Sequence, residues 1–460
     1  MDSADTVLRD ADVLVVDGRI AAVGHGVTAP DDAHVIDASG GIVMPGMIDT
    51  HRHMWQSVMR GYGADWTLAQ YAVWYFFNHG IKFRPEDIAA GNAVSALDAL
   101  ESGVTTSVDW SHGLQTLDHA EAARDALVSS PGRFFLAYGN AWAPPAQWTA
   151  DPAIRSFLAE CRDDSALYGT LLAFDVMNKD AEFPEIAAFH AARDLGLSVT
   201  THAGVWGGIG DQSIDNMYAA GVMQPGHTYV HAASLSDSSY QKIAGTGGNV
   251  SLSTESESTC GQGYPPVHHL RRHGIDASLS IDSSVWFSSD MFSAMRSTID
   301  AARAYEHLVA HQSGASVTNI GLRVKDAVAL ATRDGAKALG KFHEIGSLEV
   351  GKLADVVLVK NDRSPTFSTI LNPYGHLVYQ ACRGDVHTVL VGGRVVKSEG
   401  ALADADLDGV KTRIGDTVEY LQRELGDEWE AGMNPELPDT EVLANPYQFQ
   451  RDAETAGSPS

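Results

Sequence analysis

Two histidines separated by one residue carry the strongest chemical signal in this sequence. They lie in the run Met44-Pro-Gly-Met-Ile-Asp-Thr-His51-Arg-His53. In a strand, residues i and i+2 point to one face, so His51 and His53 can aim two imidazoles at a single point. That arrangement suits a divalent metal, although two ordinary histidines at a strand end would have the same spacing. Three more polar residues close later apolar runs: His202 in LSVTTHAG, His231 in HTYVHAAS and Asp282 in DASLSIDSS. Each alone is a weak signal, because a strand-end histidine is more often hydrogen-bonded structure. Five such residues in the order HxH, His, His, Asp point to one shared site.

A fold must bring these positions together. From about Ile48 to about Gly346, continuous apolar runs alternate with helix-like stretches such as PEDIAAGNAVSALDALESG and EFPEIAAFHAARDLG. That alternation predicts a parallel sheet covered on both faces. Roughly eight such units fit a (β/α)8 barrel, whose C-terminal strand ends converge on one mouth. The flanking texture is different. Residues 12–23, with a turn at Asp17-Gly18, and the later SLEVGKLADVVLVK and HTVLVGGRVV, with a turn at Gly392-Gly393, read as short strands and hairpins. Neither flank is large enough to bury a core alone. The expected architecture is therefore α/β: a (β/α)8 barrel over residues 45–343 inserted in a small β-sandwich built from residues 1–44 and 344–403. Residues 404–460 form a tail that is helical at first.

Composition narrows the function. The chain has 460 residues and a formal net charge of −27. That acidity argues against nucleic acid, which needs clustered Lys and Arg. Cys161, Cys260 and Cys382 are three widely spaced thiols, with no disulfide framework and no CxxC metal site. No apolar run reaches the ~20 residues needed to span a bilayer. The opening MDSADTVLRD has no apolar signal core. The expectation is a cytoplasmic enzyme acting on a small molecule, as a homodimer or higher homo-oligomer. No GxGxxG follows an early strand, which disfavours a dehydrogenase.

The chain resembles the amidohydrolase superfamily, in particular the branch with cytosine deaminase, the triazine chlorohydrolases and methylthioadenosine deaminase. The resemblance covers nearly the whole chain. It rests on MPGMIDTHRH, ALDALESGVTTSVD, ATRDGAKALG, GSLEVGKLADVVLV and VLVGGRVV. It implies that His51, His53, His202 and Asp282 hold one divalent metal, with zinc first and iron, cobalt or manganese as alternatives. Three imidazoles and one carboxylate favour these ions over calcium or magnesium. It also implies that His231 polarises the substrate beside metal-bound hydroxide, which attacks an sp2 carbon. Asp282 would take the proton of that water. The expected reaction is cleavage of a non-peptide C–N bond in a cyclic or aromatic small molecule. The alternatives are a heterocycle aminohydrolase with a relocated glutamate, a dechlorinase or thiocarbamate-type hydrolase, and, least favoured, a non-catalytic barrel with a structural metal.

One departure matters. Deaminases of this branch usually carry Glu three residues after the His202 position, but here the run is His202-Ala-Gly-Val205. Glu255 or Glu257, in STESESTCGQG, could supply the carboxylate. Two nearby loop glutamates are ordinarily a solvated face, and Glu255→Gln and Glu257→Gln are each expected to keep activity within about tenfold. Lys179 is no strand-end residue that could bridge two metals, so the site is expected to be mononuclear.

Aromatic residues near the strand ends suggest a flat substrate held by stacking: Trp55, Trp66, Trp110, Tyr138, Trp206 and Trp286. His227 competes with His231, but only the latter reaches the mouth. His268, His269 and His273 fall in a predicted helix and read as surface residues. Cys260 has no base beside it and is not expected to be a nucleophile.

In relatives of this kind the sandwich opens with a strand before a Thr-Met-Asp-like turn. Met1-Asp2-Ser3-Ala4-Asp5 resembles that turn. The segment Asp12 to Val16 is therefore expected to form a poorly covered sheet edge. A chain extended upstream by about ten residues is expected to be more stable by a few kcal/mol at most.

Overall fold

The computed structural model describes residues 2–176, 183–205, 209–433 and 435. Eight parallel strands form one sheet: β4 (Met47–Arg52), β5 (Val104–Ser111), β6 (Arg133–Tyr138), β7 (Gly169–Ala173), β8 (Ser198–Ala203), β9 (Thr228–His231), β10 (Asn249–Leu252) and β11 (Ala277–Leu279). Each pairs with its neighbour in sequence, and a helix follows every strand. This is the barrel that the alternating texture predicts.

The barrel closes at a seam between its last and first strands. Asp282 N–H donates to His51 O at 3.1 Å, and His53 N–H donates to Asp282 O at 3.0 Å. The seam therefore joins backbone belonging to three of the predicted metal ligands. Below it, inward-facing Val108, Trp110, Phe135, Ala137, Ala173 and Val230 pack together. Beside them runs a chain of buried hydroxyls. Thr50 meets Ser278 at 2.8 Å and Ser251 at 2.7 Å; Ser251 meets Ser280 at 2.9 Å, and Ser280 meets Ser253 at 2.7 Å. Each bond in such a chain is directional and fixes strand register more tightly than methyl packing would.

The helix Pro85–Glu101 seats the turn that follows His53. Its Gly91 approaches so closely that a Cβ there would lie 2.2 Å from Trp55 O. Gly91→Ala should push this helix off the turn and cost about 1–3 kcal/mol of stability. Denaturant unfolding checks this, and an unchanged midpoint would mean that the turn yields freely.

The flanks form two antiparallel sheets. One is the hairpin β1 (Asp12–Val16) and β2 (Arg19–Gly24), turning at Asp17-Gly18. The other has the order β15-β14-β13-β12-β3, from β3 (Ile42–Pro45), β12 (Val356–Val359), β13 (Val386–Val391), β14 (Arg394–Ser398) and β15 (Ala401–Leu402). Ile20, Leu348, Ala354 and Val356 are buried between them, with Val13, Val15, Val43 and Leu390 against them. The two hairpin turns abut: a Cβ on Gly18 would lie 2.7 Å from Gly392 O. Both glycines have positive φ, as such turns require. Asp355 fastens the sandwich to the barrel. It accepts from Arg133 Nε of β6 at 2.7 Å and from Gly392 N–H at 2.7 Å. Strand β1 has only β2 as a ladder partner among the described residues, and both of its ends are exposed, as expected of an edge.

The helices Leu407–Leu425 and Asp427–Met433 return to the barrel. Thr417 Oγ1 donates to Asp87 Oδ1 at 2.8 Å. Trp66 Nε1–H donates to Gly432 O at 2.8 Å, and Tyr62 O–H donates to Trp429 O at 2.6 Å. No helix of the described residues is long and apolar enough to cross a membrane.

Candidate metal centre

The five strand-end residues converge at the barrel mouth. The ring of His51 lies 4.6 Å from that of His53, 5.0 Å from His202 and 5.6 Å from His231, centroid to centroid. Asp282 Oδ1 lies 3.4 Å from His51 Nε2 and 3.3 Å from His53 Nε2. Its Oδ2 accepts from Ser256 Oγ at 2.5 Å and lies 4.0 Å from His231 Nε2. Potential ligand atoms of His51, His202 and His231, and of His51, His53 and Asp282, fall within 4.8 Å of one another.

Backbone geometry aims two of these groups. His231 has φ 71° and Asp282 has φ 62°. A left-handed conformation is uncommon outside glycine and clusters at functional sites. Here it turns both strand ends inward.

Partners outside the cluster set the imidazoles. His53 Nδ1–H donates to Trp110 O at 2.9 Å, and His202 Nδ1–H donates to Asp175 Oδ1 at 2.7 Å. His231 Nδ1–H donates to Glu257 Oε1 at 3.4 Å. A ring that donates through Nδ1 keeps its Nε2 lone pair free for a cation or a proton. His51 is different. It is fully buried, and neither of its ring nitrogens has a hydrogen-bond partner among the described residues. An unpartnered buried polar atom costs about 1–3 kcal/mol, so the donor set fits a cation bound there.

Electrostatics follow the same geometry. Burial pushes His53 down to about 4. Burial opposes the charged form of His202 as well, but the Asp175 carboxylate outweighs it and raises that ring. Burial raises Asp282, yet the imidazoles of His51, His231 and His53 hold it below the usual carboxylate range. Burial raises the Glu257 carboxyl, against the pull of His231.

The structure separates the two glutamates. Glu257 is fully buried behind His231, with Oε1 also accepting from Ser253 N–H at 2.8 Å. Glu255 turns away to accept from Ser293 Oγ at 2.6 Å. Val205 is buried and offers no proton.

Several aromatic expectations need correction. Tyr138 points outward from β6, against Trp148 and Phe157, because Phe135 and Ala137 take the inner face. Trp66 packs on Tyr62 and holds the C-terminal helix. Trp55 is buried behind His112, whose ring lies 4.3 Å from His53. Trp110 does reach the cluster, its ring 4.2 Å from His202. Trp286 lies over Tyr71, ring centroids 4.3 Å apart. Trp206 and Lys179 lie outside the described residues. Sequence reasoning missed Asp175 as the partner of His202, and Tyr71. Asp175, directly after the apolar run of β7, was the one readable signal among them. His227 lies at the opposite end of β9 from His231, against Phe189. His269 is buried, contrary to the surface reading.

Burial also raises the Cys260 thiol to about 12, and Cys161 likewise. Cys382 is exposed. Native protein treated with a thiol reagent near neutral pH should therefore modify Cys382 alone. Modification of Cys260 at a comparable rate would show that the mouth opens.

The chain matches the Amidohydrolase family over residues 42–396. The chain belongs to that family. It is accordingly a hydrolase of this class. It is 28% identical over 454 residues to a 5-methylthioadenosine/S-adenosylhomocysteine deaminase of Symbiobacterium thermophilum, covering 91% of this chain and 96% of that protein. A 5'-deoxyadenosine deaminase of Methanosarcina barkeri is 26% identical over 427 residues, covering 87% and 90%. Among solved structures, a zinc-bound adenosine deaminase from Xanthomonas campestris superposes with a TM-score of 0.74 at 22% identity, covering 91% and 95%. The zinc complex of atrazine chlorohydrolase from Arthrobacter aurescens gives 0.77 at 19%, covering 91% and 97%. These likenesses show the shared fold.

Proposed function

We propose that this amidohydrolase cleaves a C–N bond at an sp2 carbon of a heterocyclic small molecule. In this reading His51, His53, His202 and Asp282 hold one divalent cation, zinc first. The observation that carries it is the buried His51 ring, with no hydrogen-bond partner for either nitrogen among the described residues, facing three imidazoles and Asp282. A cation held there supplies the Lewis acid that makes water nucleophilic near neutral pH.

The chain's own residues move the protons. Asp282 Oδ2, between Ser256 and His231, accepts the proton of the attacking water. His231 Nε2, 4.0 Å from that oxygen, takes this proton on from Asp282 and hands it to the leaving group. Glu257 Oε1 accepts from Nδ1–H on the far side of that ring and so fixes its orientation. Glu257 thus positions His231, and does not stand where the missing HxxE glutamate would meet a substrate. The relatives named as deaminases support an amine or ammonia as leaving group; the chlorohydrolase neighbour keeps chloride in view.

The test is a release assay on metal-loaded enzyme, reading ammonia, amine, thiol and chloride over purine nucleosides, pyrimidines, triazines, ureas and thiocarbamates. Ammonia or amine release from a heterocycle is the expected result. Chloride or thiol release alone would overturn the C–N assignment. A cytoplasmic homodimer or higher homo-oligomer completes the proposal, and light scattering of the purified chain checks the assembly.

A further inference from the structure

A second group of metal-type side chains lies on the outside of the barrel and shares no residue with the mouth. His269 and His273 lie one helical turn apart on the helix Val267–His273. Residues at i and i+4 project from the same helix face. Asp237 reaches the same point from the neighbouring helix, Asp237–Thr246. One ligand atom from each of the three falls within 4.8 Å of the others. His273 Nε2 is 2.7 Å from Asp237 Oδ1.

The imidazoles are held in place before any ion arrives. Tyr240, fully buried, lies nearly parallel to both rings. Its plane is 14° from His269 at a centroid distance of 4.6 Å, and 15° from His273 at 6.1 Å. Its own hydroxyl is anchored on Ala232 O at 2.6 Å. His269 is buried, His273 is partly exposed, and Asp237 is open to solvent on one side. An ion could therefore enter without unfolding, and solvent could complete its shell. Arg272 Nη1 lies 3.6 Å from Asp237, but its side chain is 67% exposed and free to swing away.

We propose that Asp237, His269 and His273 form a second, structural binding site for a divalent transition-metal ion. Two imidazole nitrogens and one carboxylate oxygen favour zinc, cobalt, nickel or copper over calcium and magnesium. The ion clamps the helix that follows β9, the strand leading to His231, to the second helix after β10, which comes after the short helix carrying Glu257. Binding to the folded chain alone raises its melting temperature.

The test uses the untagged full chain, loaded with zinc, dialysed, and analysed for metal. Wild type should hold about two equivalents. His273→Gln and Asp237→Asn should each hold about one, and both alter side chains that reach solvent, so the fold survives. His51→Ala should also hold about one, retaining the outer ion, and its melting temperature should still rise when zinc is added. The His51→Ala/His273→Gln double variant should hold almost none and show no such rise. Wild type with a single equivalent that only His51→Ala removes would overturn the proposal. So would two equivalents that survive in folded His273→Gln and Asp237→Asn. Failure of the mouth assignment reads differently, as His51→Ala keeping both ions.

Discussion

His51→Ala is expected to lose the ion at the mouth and hydrolysis together. The ring it removes is buried and, among the described residues, has no hydrogen-bond partner for either nitrogen. Apart from Asp282 Oδ1, 3.4 Å from its Nε2, no side chain among the described residues holds it, which suits a cation at that point. Loss of a Lewis acid removes several kcal/mol of transition-state stabilisation. At 1.36 kcal/mol per tenfold, turnover should fall by roughly a thousandfold or more. Metal analysis and turnover are measured on the same preparation, with circular dichroism confirming the fold. Unchanged metal content in a folded variant would sink the assignment.

Glu257→Gln is expected to reduce turnover by ~10²–10⁴, the range for losing a general acid–base function. The amide removes the carboxylate oxygen that accepts from His231 Nδ1–H, while keeping nearly the same shape. Glu255→Gln should stay within about tenfold, because its carboxylate is held by Ser293, away from the cluster. A purely structural role for Glu257 predicts lower stability with an unchanged pH–rate profile. The positioning role predicts that the profile shifts and that Glu257→Asp recovers part of the rate. Activity within tenfold for Glu257→Gln would show that His231 works without its carboxylate. The sequence alone places both glutamates in that tenfold class.

What could be read from the sequence follows from local rules. Continuous apolar runs between amphipathic stretches specify a parallel barrel, and strand-end His and Asp then share a mouth whatever their distance in sequence. The hairpin turns at Asp17-Gly18 and Gly392-Gly393 were visible because only φ > 0 residues make them. The aromatic residues resisted because their direction depends on strand parity and remote partners. Tyr138 faces outward because Ala137, its neighbour, faces in. Trp66 is claimed by Gly432, 366 residues later. The separation of Glu257 from Glu255 arises in the short helix Thr254–Thr259 after β10, where two positions of rotation send one carboxylate inward and the other out. The left-handed backbones of His231 and Asp282 left no trace in residue type, since neither is glycine.

The pairing of β3 with β12 sets a timetable for synthesis. Pro45 finds its partner at Val356, about 310 residues downstream. At ~5–20 residues per second, that strand edge waits for roughly 15–60 s before its partner leaves the ribosome. Throughout that interval its backbone donors and acceptors are open to other chains. The barrel mouth waits longer still, because the carbonyls of Trp429 and Gly432 that hold Tyr62 and Trp66 are translated after the sandwich. A nascent chain therefore carries a long-lived sticky edge. Yield in a recombinant host should depend more on growth temperature and chaperone supply than on the stability of the finished protein.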